Sequence, residues 1–242
     1  MKKTGGKKPE IQWDAIHRAL EHWRKGLQKE REETGAEKEP AVTTVAERFR
    51  RDPWAVLVST ILSLRTKDDV TLETSKRLLA KAPGPAELAA LGQDQVARLA
   101  YPAGFYRTKA ANLKKIAAIL LEQYGGKIPA DMDTLLALPG VGRKTANLVL
   151  IEAFDLPGVC VDVHVHRISN RCGWLRTESQ CGTKTPEETE MTLREILPKK
   201  YWKGINALLV LYGQNLCRPL SPYCSRCVIK PHCKQVGVER SR

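Results

Sequence analysis

The chain has 242 residues, which is enough to bury a hydrophobic core without disulfides in one large or two small domains. Forty Lys and Arg residues against twenty-seven Asp and Glu residues give a formal net charge of +13. This charge favours association with polyanions such as nucleic acid, although a merely basic soluble protein would carry it too. No apolar run is long enough for a membrane span or a signal-peptide core, so we expect a cytoplasmic protein, nucleoid-associated if prokaryotic.

The N-terminal region combines a basic tail with one amphipathic helix. Residues 1–10 are rich in Lys and Gly and are expected to be disordered. Apolar residues then recur at helical spacing within residues 11–27, which predicts a helix. The charged residues 28–40 are predicted to form a loop.

Short Gly and Pro breaks divide most of the remaining chain into segments rich in Ala, Leu, Glu, Arg and Lys. The breaks are Pro83-Gly84-Pro85, Pro102-Ala103-Gly104, Gly125-Gly126, Pro139-Gly140, Pro157-Gly158 and Pro198. The residues between them are good helix formers, and this pattern predicts an all-α protein.

Residues 159–166 are ambiguous, because apolar and polar side chains alternate there as they do in a half-buried strand. In the alternative, Asp162 caps a helix that begins at Val163, its carboxylate accepting a hydrogen bond from a backbone amide. The pattern alone does not separate the two.

The string LPGVGRKTA at residues 138–146 predicts a hairpin between a helix ending near Leu138 and an apolar helix over residues 145–154. Glycines allow a tight turn and close approach of a ligand, and the amides at the next helix start form an anion site. An ordinary turn between two helices would also explain the two glycines.

The C-terminal segment, residues 199–242, has nine basic side chains and one acidic side chain, so it holds eight of the thirteen net charges. It also contains four cysteines with the spacing C-x6-C-x2-C-x5-C, namely Cys217, Cys224, Cys227 and Cys233. In a reducing compartment, clustered thiols indicate metal ligands before disulfides. Four thiolates could hold an iron-sulfur cluster or a zinc ion. Cys160, Cys172 and Cys181 follow no pattern and are interpreted as ordinary thiols.

From about residue 45 to residue 235, these motifs resemble those of the endonuclease III family of DNA glycosylases. The resemblance implies that the hairpin grips the DNA backbone, with contacts at Gly140, Gly142, Arg143 and Thr145. It also implies that the lysine directly after the hairpin, Lys144, is the catalytic nucleophile. The alternative for Lys144 is a surface lysine that binds phosphate.

The string VDVHVHR at residues 161–167 resembles the segment that carries the second catalytic group of the family, here Asp162, eighteen residues after Lys144. This resemblance favours the helix cap over the strand, and Asp162 could be a cap and a catalytic carboxylate at once. His164 would lie close to the mouth of the active site and contact DNA.

Two further segments resemble those with which the family fills the gap left by an extruded base. ILSLRTKDD at residues 61–69 places Arg65 where the family commonly has Gln, at the plug position. GFYRTK at residues 104–109 places Phe105 in the wedge loop, where an aliphatic residue is usual. Core packing is the alternative role for Phe105.

The family's identical cysteine spacing holds a [4Fe-4S] cluster, which the resemblance implies for this chain. The loop after Cys217 would then bring Arg218 to a DNA phosphate. By resemblance, residues 46–156 form a six-helix barrel-like domain and residues 157–242 form the cluster domain, against which residues 11–45 pack. The two domains would flank a DNA-binding cleft.

The resemblance implies a bifunctional DNA glycosylase and AP lyase acting as a monomer on double-stranded DNA with damaged bases or abasic sites. Oxidised pyrimidines are the family's usual substrates. The alternatives are a noncatalytic iron-sulfur DNA-binding protein and a monofunctional mismatch glycosylase; the latter usually has another residue at the position of Lys144.

Overall fold

The structure, a computed structural model, describes residues 11–34, 41–175 and 182–242. The tail predicted for residues 1–10 lies outside these ranges. Within them the regular elements are all helical, which confirms the all-α prediction, and no described helix is long and apolar enough to cross a bilayer. The α-helices are α1 (Trp13–Thr34), α2 (Ala41–Arg48), α3 (Pro53–Ser63), α4 (Asp68–Lys81), α5 (Pro85–Ala90), α6 (Gln93–Ala100), α7 (Tyr106–Tyr124), α8 (Met132–Ala137), α9 (Arg143–Phe154), α10 (Val163–Cys172), α11 (Pro186–Ile196) and α12 (Trp202–Asn215).

The chain divides into two compact units, which we name the hairpin unit (Glu39–Cys160) and the cysteine unit (Met1–Lys38 with Val161–Arg242). In its described residues the hairpin unit has eight α-helices, and the six-helix domain expected for residues 46–156 stays a prediction. Two of these, α5 and α8, have only six residues each. Helices this short carry too little apolar periodicity to be recognised in a sequence.

The core of the hairpin unit forms around α3, which is mostly apolar and buried on all sides. Every residue from Trp54 to Leu62 is buried, and α3 packs against α2, α4, α7 and α9. Asp52 begins the helix by accepting a 2.8 Å hydrogen bond from the Ala55 amide. A helix buried on all sides suits the centre of a helical unit and fixes the position of the turn that follows it.

The cysteine unit joins the N-terminal helix to the C-terminal half of the chain. Trp13 of α1 packs edge to face on Trp174 with ring centroids 5.0 Å apart, and Trp23 does so on Tyr212 at 4.8 Å. The predicted helix is confirmed, but the predicted loop is wrong at its start, because α1 continues to Thr34. Gln, Lys, Glu and Arg follow Leu27, and all four support helix without needing a buried face.

The predicted hairpin lies between α8 and α9, and its two glycines do different work. Gly140 has φ +76°, in the left-handed region, and a β-carbon added there would collide with the Asn112 side chain. Gly142 has extended backbone, forms the N-cap of α9, and has open space around the position of a β-carbon. The first glycine is therefore required by the turn itself, whereas the second leaves the surface at the start of α9 uncovered.

Replacement of the two glycines by alanine should separate these roles. Gly140→Ala is expected to lower the free energy of unfolding by about 1–2 kcal/mol, since a non-glycine residue in left-handed backbone is strained. Gly142→Ala is the matched control and should leave stability within about 0.5 kcal/mol. Urea denaturation of both variants measures this, and equal losses would contradict the assignment.

Candidate functional site

Lys144 lies in the first turn of α9, half-buried, directly after the hairpin. The helix begins at Arg143, two residues earlier than predicted, because Gly142 in extended conformation serves as its N-cap. Thus Lys144 stands at the end of α9 that carries the positive partial charge of the backbone. The Cys160 thiol lies 3.7 Å from the Lys144 carbonyl oxygen and fastens the end of the hairpin unit to this turn.

Arg143 and Thr145 flank Lys144 in the same turn. Arg143 is half-buried, whereas Thr145 is only 1% exposed. A DNA contact at Thr145, as predicted, would therefore be made by its backbone amide and not by its hydroxyl. First-turn amides of a helix point along its axis and suit a phosphate oxygen.

Asp162 is the N-cap of α10, so the helix-cap prediction is confirmed and the strand alternative is wrong. Its Oδ1 atom accepts hydrogen bonds from the amides of His164 at 2.8 Å and Val165 at 2.9 Å. The residue is partly exposed. Because two backbone amides hold one carboxylate oxygen, the orientation of this side chain is fixed by the helix start itself.

The side chain of Arg167 joins α10 to α12, a contact that the sequence analysis did not predict. Its Nη2 donates to the carbonyl oxygens of Cys217 at 2.9 Å and Gly213 at 3.3 Å and lies 3.2 Å from His164 Nδ1. A β-carbon at Gly213 would collide with His164, so the glycine permits this close approach. His164 is half-buried in this packing.

The four patterned cysteines line one cavity, together with Cys172 and Tyr212. The segment between residues 216 and 235 wraps around this cavity with two short 3₁₀ turns, at Cys224–Arg226 and Lys230–His232. The described ranges contain no three His, Cys, Asp or Glu side chains arranged to hold a single metal ion. The four patterned cysteines nevertheless surround a common space.

Polar groups around the cavity bind the cysteine sulfurs. Arg171, which is buried, places Nη1 3.3 Å from Cys217 Sγ and also donates to the carbonyls of Arg218 at 2.8 Å and Pro219 at 3.0 Å. The Tyr212 hydroxyl donates to Cys227 Sγ at 3.1 Å. Burial raises the pKa of Cys217 and of Cys227, and these donors act against that rise and favour the thiolate, the form in which cysteine binds metal.

Cys172 is a fifth thiol at the cavity and was interpreted from sequence as ordinary. It is buried and donates a hydrogen bond to Cys233, which lowers the pKa of Cys233 to about 6 against the effect of burial; the Gln235 amide adds to the lowering. The same bond, together with burial, raises the pKa of Cys172. Cys160 is buried in the hairpin unit, and Cys181 lies outside the described residues.

Arg65 and Phe105 lie side by side on the hairpin unit. The Arg65 guanidinium carbon is 5.4 Å from the centroid of the Phe105 ring. Phe105 is 63% exposed, so core packing is the wrong interpretation of this residue. Both residues have left-handed backbone, with φ of 53° and 55°, in the turns before α4 and before α7. The structure thus brings the predicted plug and wedge residues together.

Arg218 is exposed on the loop after Cys217, and its contact with a DNA phosphate stays a prediction. Its Nε donates to the Gln214 carbonyl at 3.3 Å, and its guanidinium lies over the Tyr223 ring at 5.4 Å. Arg171 donates a hydrogen bond to the backbone carbonyl of Arg218. The loop after Cys217 therefore presents at the surface a guanidinium whose position these contacts fix.

Residues 58–199 match the model of the HhH-GPD superfamily of base excision DNA repair proteins. Endonuclease III of Thermotoga maritima is 45% identical over 195 residues, covering 78% of this chain and 89% of that protein. Endonuclease III-like protein 1 of Mus musculus is 43% identical over 181 residues, covering 74% of this chain and 59% of that protein.

Among solved structures, a trapped endonuclease III–DNA covalent intermediate matches with a TM-score of 0.70 at 33% identity, covering 81% of this chain and 93% of that one. A thermostable thymine-DNA glycosylase matches with a TM-score of 0.69 at 21% identity, covering 92% of this chain and 98% of that one, which shows a shared fold alone. The helix-hairpin-helix motif and the extent of these matches lead to one assignment: the chain belongs to the endonuclease III family, the bifunctional DNA glycosylases and AP lyases of base excision repair.

Proposed function

We propose that this protein binds double-stranded DNA, excises oxidised pyrimidines through Lys144 and Asp162, and nicks the strand at the resulting abasic site. The observation that carries the proposal is the lysine in the first turn of α9, directly behind the Gly140–Gly142 hairpin. A solved neighbour, 33% identical, is a trapped covalent intermediate with DNA, and a lysine amine can form such a bond to a sugar.

In the proposed reaction, the Lys144 amine attacks C1′ of the damaged nucleotide while the bond from C1′ to the base breaks, and the base leaves with the bonding electrons. The carboxylate of Asp162 stabilises positive charge on the sugar and accepts the proton that the amine loses. Ring opening gives a Schiff base between Lys144 and C1′. Loss of a C2′ proton then expels the 3′ phosphate, which breaks the strand, and water releases Lys144.

The base must leave the helical stack before Lys144 can reach C1′, and we assign this step to Arg65 and Phe105. Extrusion costs a few kcal/mol, which stacking of side chains in the gap offsets. Phe105 presents an exposed ring for the wedge, and Arg65 beside it supplies donors for the unpaired base. Arginine only donates, whereas glutamine both donates and accepts, so the choice of opposite base should differ from that of a Gln-bearing relative.

The four cysteines fit a [4Fe-4S] cluster. All four line one cavity, buried donors aim at two of their sulfurs, and Cys233 loses its proton readily. Four thiolates could also hold a zinc ion, and the cluster is preferred because the family whose cysteine spacing this chain shares carries one. Bound there, the cluster would crosslink the loop that carries Arg218. The loop would then hold Arg218 rigidly for its contact with a DNA phosphate.

Backbone capture is proposed to use the hairpin, Arg218 and the basic C-terminal segment. Phosphate contacts of this kind release counterions, so affinity should fall steeply with salt. We propose that the protein acts as a monomer. Solved relatives include endonuclease III–DNA complexes, which supports duplex DNA as the partner.

The lysine assignment is tested by covalent trapping on DNA with an abasic site. Wild-type protein treated with borohydride should become linked to the DNA, because reduction fixes the Schiff base. Lys144→Gln should bind the same DNA but lose trapping by at least about a thousandfold, the scale expected when a nucleophile is removed. Lys114→Gln controls for loss of one positive charge. A binding module would show salt-sensitive affinity without trapping, and a monofunctional glycosylase would release bases without it.

The cofactor is tested by metal analysis of protein purified without oxygen. We expect a brown protein containing iron and sulfide, and Cys233→Ser should lose most of the iron because a ligand is removed. Cys160→Ser is the control, since this buried thiol belongs to the hairpin unit and does not line the cavity. Colourless protein with stoichiometric zinc would overturn the cluster assignment.

The plug assignment is tested by the base opposite the lesion. Arginine can donate two hydrogen bonds to guanine O6 and N7, a pairing worth about 1–3 kcal/mol. Arg65→Gln should therefore reduce the ratio of excision opposite guanine to excision opposite adenine by about fivefold or more, measured in single turnover. Arg65→Lys keeps the positive charge but lacks the planar guanidinium that donates two hydrogen bonds to one base, and it serves as the control. A ratio unchanged in Arg65→Gln would contradict the role.

A further inference from the structure

Lys109 is a buried lysine of the hairpin unit whose amine points at the end of another helix. It is 6% exposed, and it belongs to the first turn of α7. Its Nζ atom donates to the carbonyls of Leu62 at 2.7 Å and Leu64 at 2.6 Å and to the Thr66 hydroxyl at 2.9 Å. These three acceptors lie at the C-terminal end of α3 and in the turn that carries Arg65.

Three acceptors match the three protons of an ammonium group, and a neutral amine could not donate to all of them at once. The last carbonyls of a helix have no intrahelical partners, and a cation is favoured at this end of the helix dipole. Burial lowers the pKa of Lys109 to about 8, so the charged form prevails at pH 7. An amine enclosed in this way is not available to a substrate, so Lys109 does not compete with Lys144 as the nucleophile.

The same contacts extend to the wedge loop. The Thr66 hydroxyl, which binds Lys109 Nζ, also accepts a 3.0 Å hydrogen bond from the Gly104 amide. A β-carbon at Gly104 would collide with the Arg65 carbonyl oxygen, so the two turns touch backbone to backbone. Thr66 and Gly104 therefore join the turn before α4 to the turn before α7.

The backbone of Lys109 also contacts the turn that carries Phe105. Its amide donates to the Phe105 carbonyl at 3.0 Å, which is the first helical hydrogen bond of α7. A single residue thus holds Phe105 with its backbone and the Arg65 turn with its side chain. Arg65 and Phe105 are exposed at the end of this arrangement, both in left-handed backbone that needs support from its surroundings.

We propose that Lys109 is a positioning residue that locks the Arg65 turn to the Phe105 turn, so that plug and wedge enter the DNA duplex as one rigid unit. The inference rests on the proposed function, because it assumes that Arg65 and Phe105 fill the gap left by the extruded base. Rigid placement matters there, since a shift of about 1 Å in a positioned group can reduce a rate a hundredfold.

Lys114 provides a matched control on the same helix. Its Nζ also donates to three carbonyls, those of Leu88 at 3.5 Å, Ala89 at 2.7 Å and Leu91 at 2.5 Å, around the end of α5. Lys109→Met and Lys114→Met therefore remove the same chemical group from the same kind of contact. Only the first of these contacts supports the plug and the wedge.

The test compares excision of one lesion from duplex and from single-stranded DNA in single turnover, because a single strand has no orphaned base to replace. Lys109→Met should lower the duplex rate about tenfold or more and the single-strand rate less than about twofold. In Lys114→Met the ratio of the two rates should stay as in wild type. A 2-aminopurine opposite the lesion, whose fluorescence rises on unstacking, should show slower opening in Lys109→Met alone.

A second variant covers the case in which Lys109→Met does not fold. Thr66→Val removes the hydroxyl that joins the two turns and should lower the ratio of duplex to single-strand excision in the same direction. An unchanged ratio in both folded variants, or an equal fall in Lys114→Met, would overturn the proposal. Failure of the proposed function would look different, because wild-type protein would then form no covalent complex on either type of DNA.

Discussion

The backbone groups at helix ends are the constraint on which the functional features of this protein depend. A helix leaves its first amides and its last carbonyls without internal partners, and these groups must be satisfied when a chain is built almost wholly from helices. Asp162 satisfies the first amides of α10, Gly142 begins α9, and Lys109 satisfies the last carbonyls of α3. Each of these caps holds, or lies next to, a residue to which the proposed reaction assigns a task.

In the cysteine unit, side-chain donors bind cysteine sulfurs as well as unpaired backbone carbonyls. Arg171 serves Cys217 Sγ and two loop carbonyls with one guanidinium, so the ligand and the loop that carries Arg218 are fixed by a single buried side chain. Arginine suits this position because the two Nη atoms of its planar guanidinium reach a sulfur and two successive carbonyls from one buried side chain. Cys172 adds a thiol donor to Cys233 from α10. The helix that begins with Asp162 therefore ends at the cysteine cavity, ten residues later in the chain.

The sequence was sufficient for the features that depend on local spacing. The all-α fold and the hairpin breaks follow from residues close together in the chain, and the cap at Asp162 was chosen over a strand by the family resemblance; the structure confirms all three. The start of α9 was misplaced by two residues, since glycine is a weak N-cap signal. Lys109 and Cys172 were missed because their partners lie more than forty residues away in sequence, where no local pattern points to them. Whether a lysine is buried depends on such long-range packing.

In the hairpin unit, Lys109 and Lys144 have different roles because the backbone groups around them differ. At Lys109 the surrounding backbone presents carbonyls, which commit all three protons of the amine and keep it from reacting. At Lys144 the helix start presents amides, which cannot accept a proton from an amine but can bind a phosphate. A lysine whose amine reaches the C-terminal end of a neighbouring helix is thus suited to hold structure, whereas a lysine beside the first amides of a helix is suited to meet an anionic substrate. Both lysines lie in the first turn of their own helices, so the backbone groups around each one, more than the residue type, decide which of the two can act on DNA.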